Sequence, residues 1–290
     1  MVDGESTDTT VTVVREAAAA DRRVRLISNP ARSMPTGLNL GIGAATGEFI
    51  GVVSGHSVLP RDYLERVVEA SIRTGAWSVG GSIVRQAETP LQRAIAIATA
   101  SPIGVGDSAH NYASEAGWVD TVFPGFWRRD LFGRIGLFDP DMVANEDNEL
   151  SLRIRRAGGQ IWFDPDIRVG YVPRSTLGGL FHQYRSYGLG KMRVLRKHRG
   201  GLRLRNFVPA AWVAWLVAGA AVVAFVPAAG PIWMLGIAVY LASIVTAGLR
   251  LGKADAPGWL IAIALATIHL GYGLGTWQGL ATWRSTAART

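Results

Sequence analysis

From Asn206 to Leu249 the chain runs for 44 residues without a charged side chain, and a second such run extends from Ala256 to Trp283. A helix that crosses a bilayer needs about 20 apolar residues in a row, more than the buried helix of a globular domain requires. The first run contains Pro227-Ala228-Ala229-Gly230-Pro231, a turn sequence that would interrupt any helix. Three spans are therefore predicted: Phe207 to about Pro227, Ile232 to Leu249, and Trp259 to about Trp277. Trp212, Trp215, Trp233, Trp259, Trp277 and Trp283 fall near the proposed ends, as an aromatic belt does. The sequence before Arg205 is mixed and charged. The 290 residues thus divide into a globular domain (1–175), a basic amphipathic segment expected to lie at the membrane interface (176–205), and a membrane domain (206–290).

The net charge of +8 raises the question of a nucleic-acid partner. Its placement argues otherwise. Lys191 to Arg205 holds seven Lys and Arg and no acid, directly ahead of the first apolar run. That arrangement follows the positive-inside rule and suits anionic lipid heads, so the expected partner is a membrane and not a nucleic acid. The N-terminus has neither the basic nor the apolar region of a signal peptide, which leaves the globular part on the cytoplasmic side of the cell membrane. Three spans would carry the C-terminus outside, whereas Arg284 and Arg289 favour the inside. There are no cysteines, which excludes disulfides, thiolate metal sites and cysteine nucleophiles. His269 is the one ionisable side chain within the spans. It reads as a packing residue rather than a proton relay, and a transporter would lack an ion path.

Along the globular part, strands and helices alternate. Strands are predicted at Arg23–Ser28, Phe49–Val53, Trp77–Val84, Val119–Phe123, Gln160–Phe163 and Ile167–Val172. Helices are predicted up to about Ala20, at Met34–Ala45, at Pro60–Arg73 with Leu64, Val67 and Val68 on one face, and at Leu91–Ala100. This alternation specifies an α/β domain with a mostly parallel sheet and flanking helices. The chain opens on what reads as the end of a second strand, as though a first βα unit were absent.

The most chemically suggestive stretch is Asn145-Glu146-Asp147-Asn148-Glu149-Leu150-Ser151-Leu152-Arg153-Ile154. Asn145 is a helix N-cap type, and Glu146 and Asp147 sit where the helix dipole favours negative charge. Leu150 and Ile154 make a buried stripe, and Gly158-Gly159 ends the helix. Two readings fit: a capped surface helix, or a carboxylate held at a helix start as a catalytic base.

Further short motifs accompany it in order. Val2-Asp3-Gly4-Glu5-Ser6-Thr7-Asp8 reads as a strand end and turn. Asn29-Pro30 is followed by Gly37-Leu38-Asn39-Leu40-Gly41. Phe49-Ile50 leads to Ser54-Gly55-His56, and Gln183-Tyr184-Arg185-Ser186-Tyr187-Gly188 lies in the basic amphipathic segment. In this order they resemble the GT-A glycosyltransferases of family 2, in particular the membrane-anchored branch that builds bacterial exopolysaccharides, such as succinoglycan glucosyltransferases.

The resemblance implies an inverting transferase. It would move a hexose from a nucleotide-diphosphate sugar to a lipid-linked or growing polysaccharide acceptor. Asp3, Gly4, Ser6, Asp8, Asn39 and Ser54 would bind the nucleotide sugar, though Asp3 also reads as a turn residue. Asp147 would be the general base, with Glu146 in support. Gln183, Arg185 and Tyr187 would serve the acceptor or diphosphate, although Arg185 also suits lipid phosphates. Trp127, Arg128 and Arg129 would shape the acceptor cleft, or form a strand end and basic turn. The family's metal motif aligns with Ser54-Gly55-His56, so Mg²⁺ or Mn²⁺ would fall to His56, otherwise a loop histidine. Ser54 replaces the first acid of that motif, which motivates an alternative: a catalytically inactive, membrane-anchored sugar-nucleotide-binding or assembly subunit.

Overall fold

The computed structural model describes residues 1–55, 57–106, 111–142, 144–200 and 203–287, with side chains through Thr282. The chain forms two compact units. The first comprises residues 1–55, 60–81 and 115–167; the second comprises 56–59, 82–114 and 168–290.

The first unit begins with a parallel pair, β1 (Val2–Asp3) against β2 (Ile27–Ser28), with Asp3 opposite Ser28. Between them lies α1 (Thr10–Ala20), and α2 (Met34–Ala44) follows. The larger sheet contains β3 (Phe49–Gly51), β5 (Ser78–Arg85), β7 (Phe123–Arg128) and β8 (Ile161–Tyr171), in the order β3-β7-β5-β8, with β6 (Gly117–Trp118) on β8. β5 and β8 contribute residues to both units. Helices α3 (Tyr63–Thr74), α6 (Leu131–Ile135) and α7 (Glu146–Arg156) complete the unit. Its core is dry: Val67, Val79, Leu150, Ile154, Ile161, Phe163 and Ile167 are each at most 1% exposed. Leu150 and Ile154 form the stripe expected of α7.

The structure departs from several of these expectations. β3 pairs with β7, β7 with β5, and β6 with β8, all antiparallel, so these pairs of the larger sheet depart from the mostly parallel arrangement expected. Alternation of elements gives their order but not the direction in which each strand enters the sheet. The strand expected at Val119–Phe123 lies instead at Phe123–Arg128, where Trp127 is core, wedged between Phe132 and Phe138 with ring centroids 5.9 Å from each. The two short strands predicted after α7 are one. Asp164-Pro165-Asp166 reads as a break, but β8 continues through it. Asp164 binds Arg73 at 3.1 Å and accepts the Asp166 amide at 3.1 Å. On α3, Val67 is buried as expected, whereas Leu64 is 63% exposed.

In the second unit, β4 (Ser57–Val58) pairs antiparallel with the last residues of β8. α4 (Pro90–Thr99) opens on a capping box. The Gln92 amide donates to Thr89 Oγ1 at 3.1 Å, and the Thr89 amide donates to Gln92 Oε1 at 3.2 Å. The short α5 (Pro102–Val105) follows, then α8 (Leu177–His198), α9 (Val208–Phe225), α10 (Gly230–Leu251) and α11 (Gly258–Ala287). Three segments, Leu204–Phe225, Pro227–Leu251 and Gly258–Thr282, are long and apolar enough to cross a membrane. They match the three predicted spans.

These spans differ in how much protein covers them. The share of buried residues is 11% and 17% in the first two and 44% in the third. α11 packs on α4 and α10 through Ala94, Ile95, Ala98, Ala247, Ile261 and Leu265. Its second half packs on α8 backbone to backbone. A methyl on Gly188 would strike the Tyr272 carbonyl, and one on Gly275 would strike the Arg185 carbonyl. Small residues at such a crossing let two helices approach closely. The helix expected at the interface thus lays its buried stripe, Leu180, Tyr184, Gly188 and Met192, against this contact. His269 packs as expected. Its Nε2 donates to the Ile103 carbonyl at 2.9 Å, and the Tyr240 hydroxyl donates to Nδ1 at 3.1 Å. Trp233 and Trp277 hydrogen-bond to the carbonyls of Trp215 and Ala210, at 3.2 and 2.8 Å.

Gly275→Leu is expected to destabilise the second unit by about 1–3 kcal/mol through overpacking. It should lower the melting temperature of the detergent-solubilised protein. Gly43→Ala on α2, where an added methyl meets nothing within 4 Å, should leave that temperature unchanged or raise it.

Candidate active site

At the end of β1, Asp3 is buried and folds back on its own turn. Its Oδ1 accepts the Ser6 hydroxyl at 2.5 Å and its Oδ2 accepts the Ser6 amide at 3.0 Å. Those two bonds hold its carboxyl below the usual aspartate range. Glu5, between them, sits in the left-handed region at φ 63° and pairs with Arg32, itself at φ 52°. This exposed pair buttresses the turn, and no sequence signal marks it. Gly4 lies against Arg32, whose Cα is 3.8 Å from where a Cβ would stand. Asp8 accepts the Thr10 amide at 3.0 Å at the start of α1, and its pKa is lowered by the Thr10 hydroxyl and amide.

Asn39 on α2 is fully engaged. Its Nδ2 donates to the Phe138 carbonyl at 2.7 Å, and its Oδ1 accepts the Phe138 amide at 2.9 Å. It ties α2 to the segment ahead of α7. Ser54 is half-buried in the loop after β3. His56, expected as the metal ligand, lies outside the described residues.

α7 carries the acids. Asn145 precedes it as expected, but at φ 64° and ψ 27°, and its side chain makes no capping bond. Asparagine tolerates this left-handed conformation better than most residues, at some cost in strain. Asp147 is half-buried. Its Oδ1 accepts the Asn148 amide at 2.7 Å and Asn148 Nδ2 at 3.0 Å, which fixes the carboxylate plane. No hydrogen bond to Oδ2 is made among the described residues. Beside it, burial and then the Asp147 charge push the Glu146 carboxyl up to about 7. One of two adjacent carboxyls is therefore held ready to keep its proton near neutrality, a division of labour typical of acid–base sites.

One turn further along, Glu149 is fully buried and is neutralised by Arg153. Arg153 Nε donates to both carboxylate oxygens, at 3.1 and 2.9 Å, and Nη2 donates to Oε2 at 2.8 Å. The same guanidinium donates to the carbonyls of Ile135, Gly136 and Leu137. The i, i+4 spacing of Glu149 and Arg153 signals an ion pair. It does not signal that the pair is buried or that it braces a loop.

The residues expected at the acceptor or diphosphate belong to the second unit. Gln183 Nε2 donates to the Tyr187 hydroxyl at 3.0 Å and to the Tyr171 hydroxyl at 3.4 Å. Two residues apart on a helix means about 200° around its axis. Arg185 accordingly faces elsewhere and donates to Gln278 Oε1 on α11 at 3.0 Å. The structure thus brings Gln183 and Tyr187 together and ties Arg185 to a span.

Among the described residues, which leave out His56, the donor set does not make a cage for a divalent cation. Among the described residues, no three His, Asp or Glu side chains converge on a common point. Position 54 offers only a hydroxyl to a hard cation that prefers carboxylate oxygens.

Comparison with known proteins identifies the family. The profile of glycosyl transferase family 2 matches residues 1–128. The succinoglycan biosynthesis protein ExoA of Rhizobium meliloti is 32% identical over 99% of this chain and 87% of its own length. The chain belongs to glycosyltransferase family 2. A second relative of this family 2 enzyme is the dolichyl N-acetyl-alpha-D-glucosaminyl phosphate 3-beta-D-2,3-diacetamido-2,3-dideoxy-beta-D-glucuronosyltransferase of Methanococcus voltae, 27% identical over 67% of this chain and 63% of that one. Among solved structures, the mannosyltransferase PcManGT from Pyrobaculum calidifontis, in complex with GDP-Man and Mn²⁺, aligns with a TM-score of 0.55. It covers 93% of this chain and 76% of that one at 20% identity, a likeness of fold. The glycosyltransferase therefore has the expected GT-A architecture, extended by three apolar helices.

The raised Glu146 carboxyl makes stability depend on pH. Its folded pKa lies above the unfolded value, so the folded state is favoured at low pH and loses that advantage as pH rises through about 7. Glu146→Gln should match the wild-type melting temperature near pH 4. Above about pH 7 it should exceed it, by the equivalent of up to about 3 kcal/mol.

Proposed function

We propose that this family 2 glycosyltransferase is an inverting hexosyltransferase at the cytoplasmic face of the cell membrane. It takes the hexose from a nucleotide-diphosphate sugar and passes it to a lipid-linked or growing polysaccharide acceptor. The observation that carries the reading is Asp147 at the first turn of α7, fixed through Oδ1 by Asn148 and offering Oδ2. In the reaction the acceptor hydroxyl oxygen attacks the anomeric carbon from the face opposite the leaving group. The bond from that carbon to the phosphate oxygen breaks, the nucleoside diphosphate departs with the electron pair, and Asp147 takes the hydroxyl proton. Glu146, protonated near neutrality, spares Asp147 a second negative neighbour and supplies a donor beside it.

Asp3, Gly4, Ser6 and Asp8 form the nucleotide-sugar end in this proposal. The Asp3–Ser6 bonds hold that turn closed and Asn39 secures α2 behind it. A lipid-linked acceptor suits an enzyme whose chain ends in three apolar helices preceded by seven basic residues. The succinoglycan role in the name of the ExoA relative supports a polysaccharide or its lipid-linked precursor as acceptor. Residues 1–175 then hold the transfer chemistry, 176–205 link it to the membrane surface, and 206–290 anchor it. The Mn²⁺ bound by PcManGT raises the question of a cation here, where position 54 offers a hydroxyl instead of a carboxylate.

Full-length protein in detergent should release nucleoside diphosphate from a sugar nucleotide in the presence of acceptor. Asp147→Asn should reduce that release by about 10²-fold or more, the usual contribution of a general base. Binding of the sugar nucleotide should change little. Undiminished turnover in this variant would remove Asp147 from the mechanism.

A further inference from the structure

α11 is long and apolar enough to cross a membrane, yet its contacts within the second unit put both of its ends on one side of the α9–α10 hairpin. The basic stretch that ends at Arg205 lies directly ahead of α9, and Arg250 and Lys253 stand at the end of α10. By the positive-inside rule the start of α9 and the end of α10 share one face of the membrane, and the turn at Pro227–Ala229 reaches the other. α11 begins against the end of α10. A methyl on Gly248 would strike the Gly258 carbonyl, and one on Gly258 would strike the Gly248 carbonyl. Further along, α11 lies against the start of α9. Trp277 Nε1 donates to the Ala210 carbonyl at 2.8 Å, and a methyl on Gly273 would strike the Pro209 carbonyl. Gly258 and Trp277 are about 28 Å apart along the helix, close to the thickness of the hydrocarbon layer. A crossing helix would carry Trp277 to the level of the hairpin turn. Instead it meets α9 within the first turn of that helix.

The protein packed on α11 agrees. The charge-free run 256–283 has its midpoint at His269 and Leu270. Just beyond it, a methyl on Gly271 would strike the Phe181 carbonyl, so residues 181–185 of α8 stand level with that midpoint. His182 and Arg185 are both exposed there. Exposed basic side chains at the centre of a bilayer are costly, whereas at its surface they are ordinary.

Away from α8, α11 shows one apolar stripe. Trp259, Ile263, Leu274 and Trp277 are exposed, and helical phase sets them within about 60° of one another. Ile261, Leu265 and Ile268 are buried on the opposite side, in the core shared with α4 and α8. α10 differs, since exposed Ile232 and Leu241 lie on opposite sides of that helix. A helix with one face on protein, one apolar face along its length and an indole near each end suits the boundary between lipid headgroups and acyl chains.

We propose that α11 lies in the plane of the membrane on its basic side, with Trp259, Ile263, Leu274 and Trp277 set into that boundary. The chain then crosses the bilayer twice, through α9 and α10. Arg284 and Arg289 remain on the side of Arg205, as their charge favours. α8, clamped to the other face of α11 along 271–279, is held at the headgroup layer. The proposal concerns the anchor and stands or falls apart from the transfer chemistry.

The chain has no cysteine, so single cysteines report topology without interference. Lys253→Cys, Ala228→Cys and Ser285→Cys are made in the full-length protein and exposed, in sealed vesicles of each orientation, to a membrane-impermeant maleimide. Ser285→Cys should label from the side that labels Lys253→Cys, and Ala228→Cys from the other. Labelling of Ser285→Cys from the side that labels Ala228→Cys overturns the proposal, as does labelling of Ala228→Cys from the side that labels Lys253→Cys. Depth is read independently, from nitroxides on Ile263→Cys, Leu270→Cys and Leu274→Cys in liposomes, by their relaxation with oxygen and with a water-soluble nickel chelate. An in-plane helix gives three similar depths, about 5–10 Å into the boundary. A maximum at position 270, the mark of a crossing helix, overturns the proposal. So do three nitroxides shielded from oxygen, which would mean that a second copy of the chain and not lipid covers the stripe. Where a variant loses the wild-type melting temperature, Thr286→Cys replaces Ser285→Cys and Ala229→Cys replaces Ala228→Cys. If neither residue after Arg284 labels from either side, the depth series decides.

Discussion

A carboxylate with no access to water must be neutralised in place, and Glu149 is such a group. Arg153 meets it with three hydrogen bonds and spends its remaining donors on the carbonyls of Ile135, Gly136 and Leu137. The consequence extends beyond charge balance. The guanidinium holds the middle of α7 against the end of α6, and the helix start bearing Glu146 and Asp147 is fixed by the same brace. Phe138, next along, is gripped through its backbone by Asn39 of α2. A chain of polar contacts thus runs from the helix behind the Asp3 turn to the helix that carries the acids, and it lies wholly within the first unit. The two ends of the proposed reaction are set by this frame and not by flexible loops.

The second unit is organised by close backbone approach. Gly188, Gly271 and Gly275 bring α8 and α11 together where side chains would keep them apart. Sequence reading treats α11 as a span and α8 as an interfacial helix, because each is judged by its own composition. Their mutual contact is a property of neither sequence alone. The same limit explains β8. Asp164-Pro165-Asp166 is locally a turn signal, and it is overruled by pairing on either side of it.

Much of the rest was legible. Three charge-free segments separated by a proline turn and a basic link gave the apolar helices, since length and charge alone decide that question. Leu150 and Ile154 gave the buried face of α7, and the ordered motifs gave the family. Strand direction was not legible, because pairing is non-local. At the proposed site, local spacing marks Glu146 and Asp147 as candidates, and i, i+4 spacing pairs Glu149 with Arg153. Arg185 carried a local signal, yet helical phase turns it away from Gln183 and Tyr187.

The packing of α11 bears on how such a protein can be handled. Its first half covers Ala94, Ile95 and Ala98 of α4 and Leu180 and Tyr184 of α8, all buried. A fragment cut before Asn206 to obtain a water-soluble enzyme would strip that cover away. It would present a continuous oily stripe to solvent, an invitation to aggregate rather than a tidy catalytic domain.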